Sequence, residues 1–213
     1  MPTLYDFELS ANCYKVRLMA AVLGLPLEIV PVDVFPGREH RSAAFLAVNP
    51  LGEVPVLADG GLVLRDSHAA LVYLARAYDA SGRWLPTEDP AVLAEIESWH
   101  GFARQLSHSV SVARDVIATG LDADLAACQA AGHRLLRVLD EHLWFARAAG
   151  RDWLCVGDHP TTADIACFAD VALCEEGGVS RQDYPAVRQW LDRVKRIPGF
   201  AVMSGIFPTG PAR

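Results

Sequence analysis

A hydroxyl, an amide and a thiol stand close together in Ser10-Ala11-Asn12-Cys13, just ahead of an apolar pattern with helical spacing. Groups of this kind at the head of a helix can hold an anion. The first turn leaves backbone N–H groups unpaired and carries the positive end of the helix dipole. If the anion is a sulfur, the chemistry is nucleophilic, because the thiolate and not the thiol is the reactive form. A free thiol has a pKa near ~8.5, and lowering it by ~1.5 units takes about 2 kcal/mol of preference for the charged form. One hydrogen bond to a charged acceptor contributes ~1.5–3 kcal/mol, so a single hydroxyl backed by a helix terminus suffices. Ser10 offers a hydroxyl at that place. Asn12, through its amide, and Cys13, through its own sulfur, compete for the role. The position of Cys13 three residues into the segment predicts a core-facing, inert side chain.

A second group of candidates lies further along. Asp66-Ser67 opens another helical pattern, where the same terminal physics favours a carboxylate ligand, and where ordinary capping is the plainer role. Pro55 begins an apolar strand pattern in Asn49-Pro50-Leu51-Gly52-Glu53-Val54-Pro55-Val56-Leu57. A trans proline there removes a ladder donor, which an edge strand tolerates. A cis bond at Val54-Pro55 is the alternative, turning the Val54 backbone outward to pair with an extended peptide. His40 follows the Pro36-Gly37 turn, and its imidazole suits a carboxylate partner; Arg38 and Arg41 read as surface charges. Thr161-Thr162-Ala163-Asp164 fits a capping box with Thr161 at the N-cap and Asp164 at N3, a folding feature.

The elements that must position these residues follow from periodicity. Residues 2–7 and 27–32 read as strands, with Pro31 marking the second as an edge. Residues 14–23, 42–48 and 67–78 read as helices. Residues 54–58 and 62–64 read as a hairpin turning at Asp59-Gly60-Gly61. The order is βαβ-α-ββα over 1–80. Residues 81–90, Ser81 to Pro90, are rich in Gly, Pro and charge and form a linker. Beyond it, 91–118, 122–149, 162–176 and 184–196 are helical, so 91–213 is an all-α domain.

The chain has 213 residues, 52% hydrophobic and 21% charged, with a formal net charge of −7. Such a composition is globular. An acidic chain without a Lys/Arg stripe is a poor partner for nucleic acid. No apolar run approaches the about 18 residues of a membrane span, and the opening MPTLYDFELSANCYK lacks a basic n-region, so no signal peptide is expected. The five cysteines are odd in number and show no CxxC or zinc spacing, and no histidine pair has metal-ligand spacing. A reducing cytoplasm and no metal are expected.

Several of these segments together resemble the soluble glutathione transferases. NPLGEVPVL followed by LRDSHAALVYLA is similar to the second half of their N-terminal domain, Pro160 to Asp164 to their buried capping segment, and Tyr184-Pro185-Ala186-Val187 with Trp190 and Pro198-Gly199-Phe200 to their C-terminal signature. The resemblance covers nearly the whole chain, in order, and is nearest to bacterial theta-like or nu-like members of the serine type. It implies an α/β plus all-α fold: a thioredoxin-like domain with Ser10-x-x-Cys13 where a dithiol enzyme carries CxxC, then a helical bundle. It implies glutathione as cosubstrate, its sulfur at Ser10, its γ-glutamyl end at Asp66 and Ser67, its backbone on Val54 beside Pro55, and its glycine carboxylate at His40. It further implies a small hydrophobic electrophile in a pocket walled by Phe102, Arg104 and His108, a homodimer using the third and fourth helices, and detoxifying conjugation in the cytoplasm. A glutathione-dependent isomerase, dehalogenase or peroxidase, or a non-catalytic binder, fits the same scaffold. Tyr5, which resembles by type the tyrosine of other classes, reads as a strand aromatic.

Overall fold

In the computed structural model, residues 1–206 are described; 207–213, the end of the expected helical domain, lie outside them. The first part of the chain builds a four-stranded sheet in the order β2-β1-β3-β4, from β1 (Thr3–Asp6), β2 (Glu28–Pro31), β3 (Val56–Asp59) and β4 (Leu62–Leu64). β1 runs parallel to β2, with Tyr5 opposite Val30, and antiparallel to β3, with Tyr5 opposite Val56. Pro31 sits on the edge strand, where its missing N–H costs no ladder bond. The hairpin turns as expected, Gly60 and Gly61 both holding positive φ (54° and 93°) between the paired Asp59 and Leu62. Such a two-residue turn matches the twist of its strands and favours glycine.

Helices α1 (Ala11–Val22) and α3 (Ser67–Tyr78) pack on each other beside the sheet, and the short α2 (Ala43–Val48) connects β2 to β3. Tyr5 is half-buried with its ring edge-on to Phe45 at 6.2 Å, a packing role for a strand aromatic. The linker is not loose. Trp84 and Leu85 are buried, and the Trp84 carbonyl accepts the Thr162 N–H at 2.8 Å.

The helical part comprises α4 (Pro90–Leu106), α5 (Val112–Thr119), α6 (Leu125–Ala148), α7 (Thr162–Leu173) and α8 (Pro185–Val194). The single helix expected over 91–118 is therefore divided: a π-helical segment, Ser107–Ser111, separates α4 from α5. A π turn widens the helix by one residue without interrupting its apolar period enough for the sequence to betray it. Every residue of α7 is buried, and the helix packs on α4 and on α1. Phe168 at its centre meets Tyr14, Trp190 and Phe200 at ring distances of 5.7–6.4 Å, so one aromatic core spans both parts of the chain. The capping box forms as the spacing requires. Asp164, wholly buried, accepts from Thr161 N at 2.9 Å, Leu154 N at 3.2 Å and Trp190 Nε1 at 2.9 Å.

Candidate functional site

Ser10 is the N-cap of α1. Its backbone is extended (φ −75°, ψ 123°), its carbonyl accepts the Tyr14 N–H at 2.9 Å, and its Oγ accepts the Cys13 N–H at 3.2 Å. The cap uses one lone pair of Oγ and leaves its one hydrogen without a partner among the described residues. Ser10 is half-buried, open to a ligand. Cys13 points the other way. It is fully buried, its Sγ accepts the Phe7 N–H at 3.4 Å, and burial, aided by the nearby Asp6, pushes its thiol up to about 12. A thiol in that state stays protonated at neutral pH and is no nucleophile.

The head of α3 adjoins that of α1. Asp66 caps α3 through Oδ1, which accepts the Ala69 N–H at 2.8 Å. The N–H groups of Ser67 and His68 have no partner among the described residues, so the terminus keeps two donors for an anion. Ser67 Oγ lies 3.4 Å from Asn12 Oδ1. Two helix N-termini thus converge, their dipoles adding at one place.

The third side is the loop before β3. The Val54-Pro55 bond is cis, as is Phe35-Pro36, which the sequence gives no reason to expect. Neither the N–H nor the C=O of Val54 enters a hydrogen bond among the described residues. Asn49, fully buried, braces this loop: its Nδ2 donates to Glu53 O at 2.7 Å and its Oδ1 accepts the Leu51 N–H at 3.1 Å. Gly52 holds φ +62°, and a Cβ there would stand 2.8 Å from Arg41 Nη1 and 3.0 Å from the His40 carbonyl. The loop and the His40 turn are therefore fitted to each other through a glycine. His40 is half-buried, its Nδ1 has no partner, and burial with the flanking Arg41 and Arg38 lowers its pKa. Its ring is neutral at pH 7.

Two family models match the chain: the glutathione S-transferase N-terminal domain over residues 4–82 and the glutathione S-transferase C-terminal domain over 111–198. Together they cover most of its length. The chain belongs to the glutathione S-transferase family. A maize protein named glutathione S-transferase 3 is 31% identical to it, with 98% of this chain and 95% of the relative aligned. A solved glutathione S-transferase from Pseudomonas fluorescens has 32% identity and a TM-score of 0.83 over 95% of this chain and 98% of its own. A protein named maleylacetoacetate isomerase from Pseudomonas aeruginosa is 28% identical over 92% of each chain. The protein is thus a transferase enzyme with glutathione as its cosubstrate, its sheet domain thioredoxin-like and its second domain all-helical.

Within this transferase the expected electrophile-side residues are spread along α4 and the π segment. Phe102 is half-buried, edge-on to Trp99 at 5.1 Å. His108 is exposed, its Nδ1 2.7 Å from the Arg104 carbonyl. The Arg104 guanidinium reaches Asp66 Oδ1 at 3.5 Å and lines a cavity of about 470 Å³ between α3 and α4, shared with His68, Tyr73, Arg76, Glu97 and His100. His68 is buried in that wall and stacks on His100 at 5.5 Å. Burial, then the charge of Lys15, pushes its ring down to about 2.

Lys15 and Asp170 escape sequence reasoning altogether. Both are fully buried and paired at 2.7 Å beneath Asn12. The available signal is weak: a lysine inside the apolar run of α1, and a second aspartate inside the mostly apolar α7. Arg114 is a second unforeseen tie. From α5 it donates to the Leu9 carbonyl at 2.5 Å and pairs with Glu176, holding the residue before Ser10 to the helical domain. Among the described residues no cluster of three or more His, Cys, Asp or Glu could hold a metal ion, and no helix is long and apolar enough to cross a membrane.

Proposed function

We propose that this transferase joins the sulfur of glutathione to small apolar electrophiles, with Ser10 as the hydroxyl that keeps the sulfur ionised. The observation that carries the reading is the meeting of two helix N-termini at Asn12 and Ser67, 3.4 Å apart, with the half-buried Ser10 beside them. One terminus receives the thiolate and the other the γ-glutamyl carboxylate. Ser67 and the free N–H groups of α3 serve that carboxylate, while Asp66 is the acceptor for the adjoining ammonium. The unpaired N–H and C=O of Val54, next to Pro55, suit the extended peptide between them. His40, neutral, offers an N–H to the glycine carboxylate.

The bound thiolate attacks carbon, a C–S bond forms, and the leaving group departs with its electron pair. Ser10 stabilises the anion before attack and takes no covalent part; proximity of the two reactants supplies much of the rest. Phe102 and His108, on the helical side, are the proposed contacts for the electrophile. Arg104 belongs to both lists, because its partner Asp66 ties it to the γ-glutamyl end. We place the enzyme in the cytoplasm and read it as a homodimer. The open face between α3 and α4, whose cavity is lined by Arg76 of α3 and Glu97 of α4, offers the mixed charge and apolar area a two-fold contact uses. We divide the chain into a glutathione-binding domain over 1–80, a linker over 81–90 and a helical electrophile-side domain over 91–213.

The test is calorimetric binding of glutathione joined to turnover with a haloarene, an epoxide and a peroxide. Saturable binding is expected, with a thioether formed from the haloarene and the epoxide and none from the peroxide, which would instead oxidise two glutathiones to their disulfide. Absence of binding at millimolar glutathione overturns the reading. The relative named maleylacetoacetate isomerase supports a second reading, in which the thiolate adds to a conjugated double bond and is later expelled. An isomerase returns its glutathione, so thiol titration during turnover separates the two.

A further inference from the structure

Beneath the proposed sulfur site lies a polar network that neither capping nor packing requires. Lys15 Nζ has three hydrogens and three acceptors: Asp170 Oδ2 at 2.7 Å, Asn12 Oδ1 at 2.8 Å and Ser107 Oγ at 3.0 Å. Ser107 passes its own hydrogen to Asp170 Oδ2 at 3.0 Å, and Ser111 donates to Asp170 Oδ1 at 2.5 Å. The π turn sets these two serines, one at each end of it, on the same carboxylate. The ammonium and carboxylate, both wholly out of water, are therefore saturated. Isolated burial of either charge is strongly unfavourable, and a well-packed apolar pair often does as well for stability. Stability alone gives no reason for the pair.

Its effect on Asn12 supplies one. An amide can rotate by half a turn and exchange its oxygen for its NH₂. With the ammonium 2.8 Å from Oδ1, the exchanged orientation would set donor against donor. Lys15 therefore fixes the oxygen inward. The Asn12 Nδ2 has no partner among the described residues and is not among their buried unpaired atoms, so it is left on the accessible side of a half-buried residue, in the same N-terminal turn that Ser10 caps.

We propose that Lys15 is a positioning residue: held by Asp170 and Ser107 of the helical domain, it orients the Asn12 amide so that an N–H faces the glutathione sulfur. This rests on the reading that the sulfur lies at Ser10. It assigns the helical domain a part in setting thiolate chemistry, through α7 and the π turn, separate from any contact with the electrophile. The ammonium's charge is cancelled by Asp170, so the influence is on orientation more than on field.

A mutant cycle tests it. Lys15→Met alone would strand a buried carboxylate, so the network is removed as Lys15→Met with Asp170→Leu, and Asn12→Ala is made in both backgrounds. Glutathione binding is first checked by calorimetry in the unaltered protein; its absence defeats the glutathione reading and is recognised separately. The pKa of the bound thiol is then read from ultraviolet thiolate absorbance, with thermal melts alongside. Removing the network is expected to raise that pKa by about one unit, a tenfold loss in thiolate population at pH below it, and to do nothing further once Asn12 is alanine. An equal shift in both backgrounds, or none in the native one, overturns the proposal. If the double replacement does not fold, Asn12→Ala alone still decides: an unchanged thiol pKa there removes the group through which Lys15 is said to act.

Discussion

Replacing Ser10 by alanine removes two interactions that can be measured apart. The first is the helix cap, Oγ accepting the Cys13 N–H at 3.2 Å. Its loss costs about 0.5–2 kcal/mol of stability, and in a chain of this size each kcal/mol lowers Tm by ~2–4 °C. The second is the hydroxyl hydrogen, which no described group accepts and which we assign to the sulfur. A hydrogen bond to a charged acceptor contributes ~1.5–3 kcal/mol, so the bound thiol's pKa should rise by roughly 1–2 units. Conjugation measured at pH 6.5 should then fall by ~10–100-fold, the same free energy expressed as a rate. The deficit must shrink as pH rises, because above the raised pKa the sulfur ionises unaided. Ser10→Asp separates the two effects. Aspartate is as good a cap, so stability should return, while its charge opposes the thiolate and activity should not. The assay is a pH–rate profile with a haloarene for all three proteins, with melting curves beside it. If Ser10→Ala melts lower yet keeps the parent pH profile, Ser10 is only a cap and the thiolate argument fails at its first residue.

Cys13→Ala should leave conjugation within about twofold, since a buried thiol held near 12 supplies no thiolate; a mixed disulfide at Cys13 in the mass spectrum after exposure to oxidised glutathione would contradict this. Asp164→Ala strands the N–H groups of Thr161, Leu154 and Trp190. At about 1–3 kcal/mol for each buried donor left unpaired, the loss should exceed ~3 kcal/mol in denaturant unfolding, with kcat/KM of the folded protein unchanged. His68 predicts an acid limb in the stability curve. Its ring is held near 2 when folded and takes a proton near ~6.5 when unfolded, so below that pH the unfolded chain binds more protons and folding weakens. The sign is loss on acidification, roughly 2 kcal/mol between pH 6.5 and 5. Unfolding midpoints at the two pH values should show it, and His68→Gln should flatten it.

The parts of this molecule legible in its sequence are those set by neighbours along the chain. Thr161 and Asp164 are three residues apart and form their box; Asp59-Gly60-Gly61 turns its hairpin; Ser10 and Asp66 each cap the helix that follows. Such rules act within a turn or two, so a short window contains the whole argument. The division of 91–118 at Ser107–Ser111 was hidden because one inserted residue barely disturbs a helical apolar stripe. Arg104 is legible as a candidate wall of the electrophile pocket through the family resemblance; that it reaches Asp66 depends on how α4 crosses α3.

Lys15 and Asp170 mark the deeper limit. Each taken alone has the type of a surface charge, and most such residues are exposed. Only the docking of α7 on α1 turns them into a buried pair, and only the π turn brings Ser107 and Ser111 to complete it. The two kinds of information meet at Asn12. Its place at the head of α1 follows from local spacing, while on our proposal its amide is turned by Lys15, one turn along, whose charge the distant Asp170 of α7 balances. The anion site is therefore local in its residues and global in its orientation. A sequence window can name the groups we propose to face the sulfur, and the packed helical domain fixes the Asn12 oxygen on Lys15.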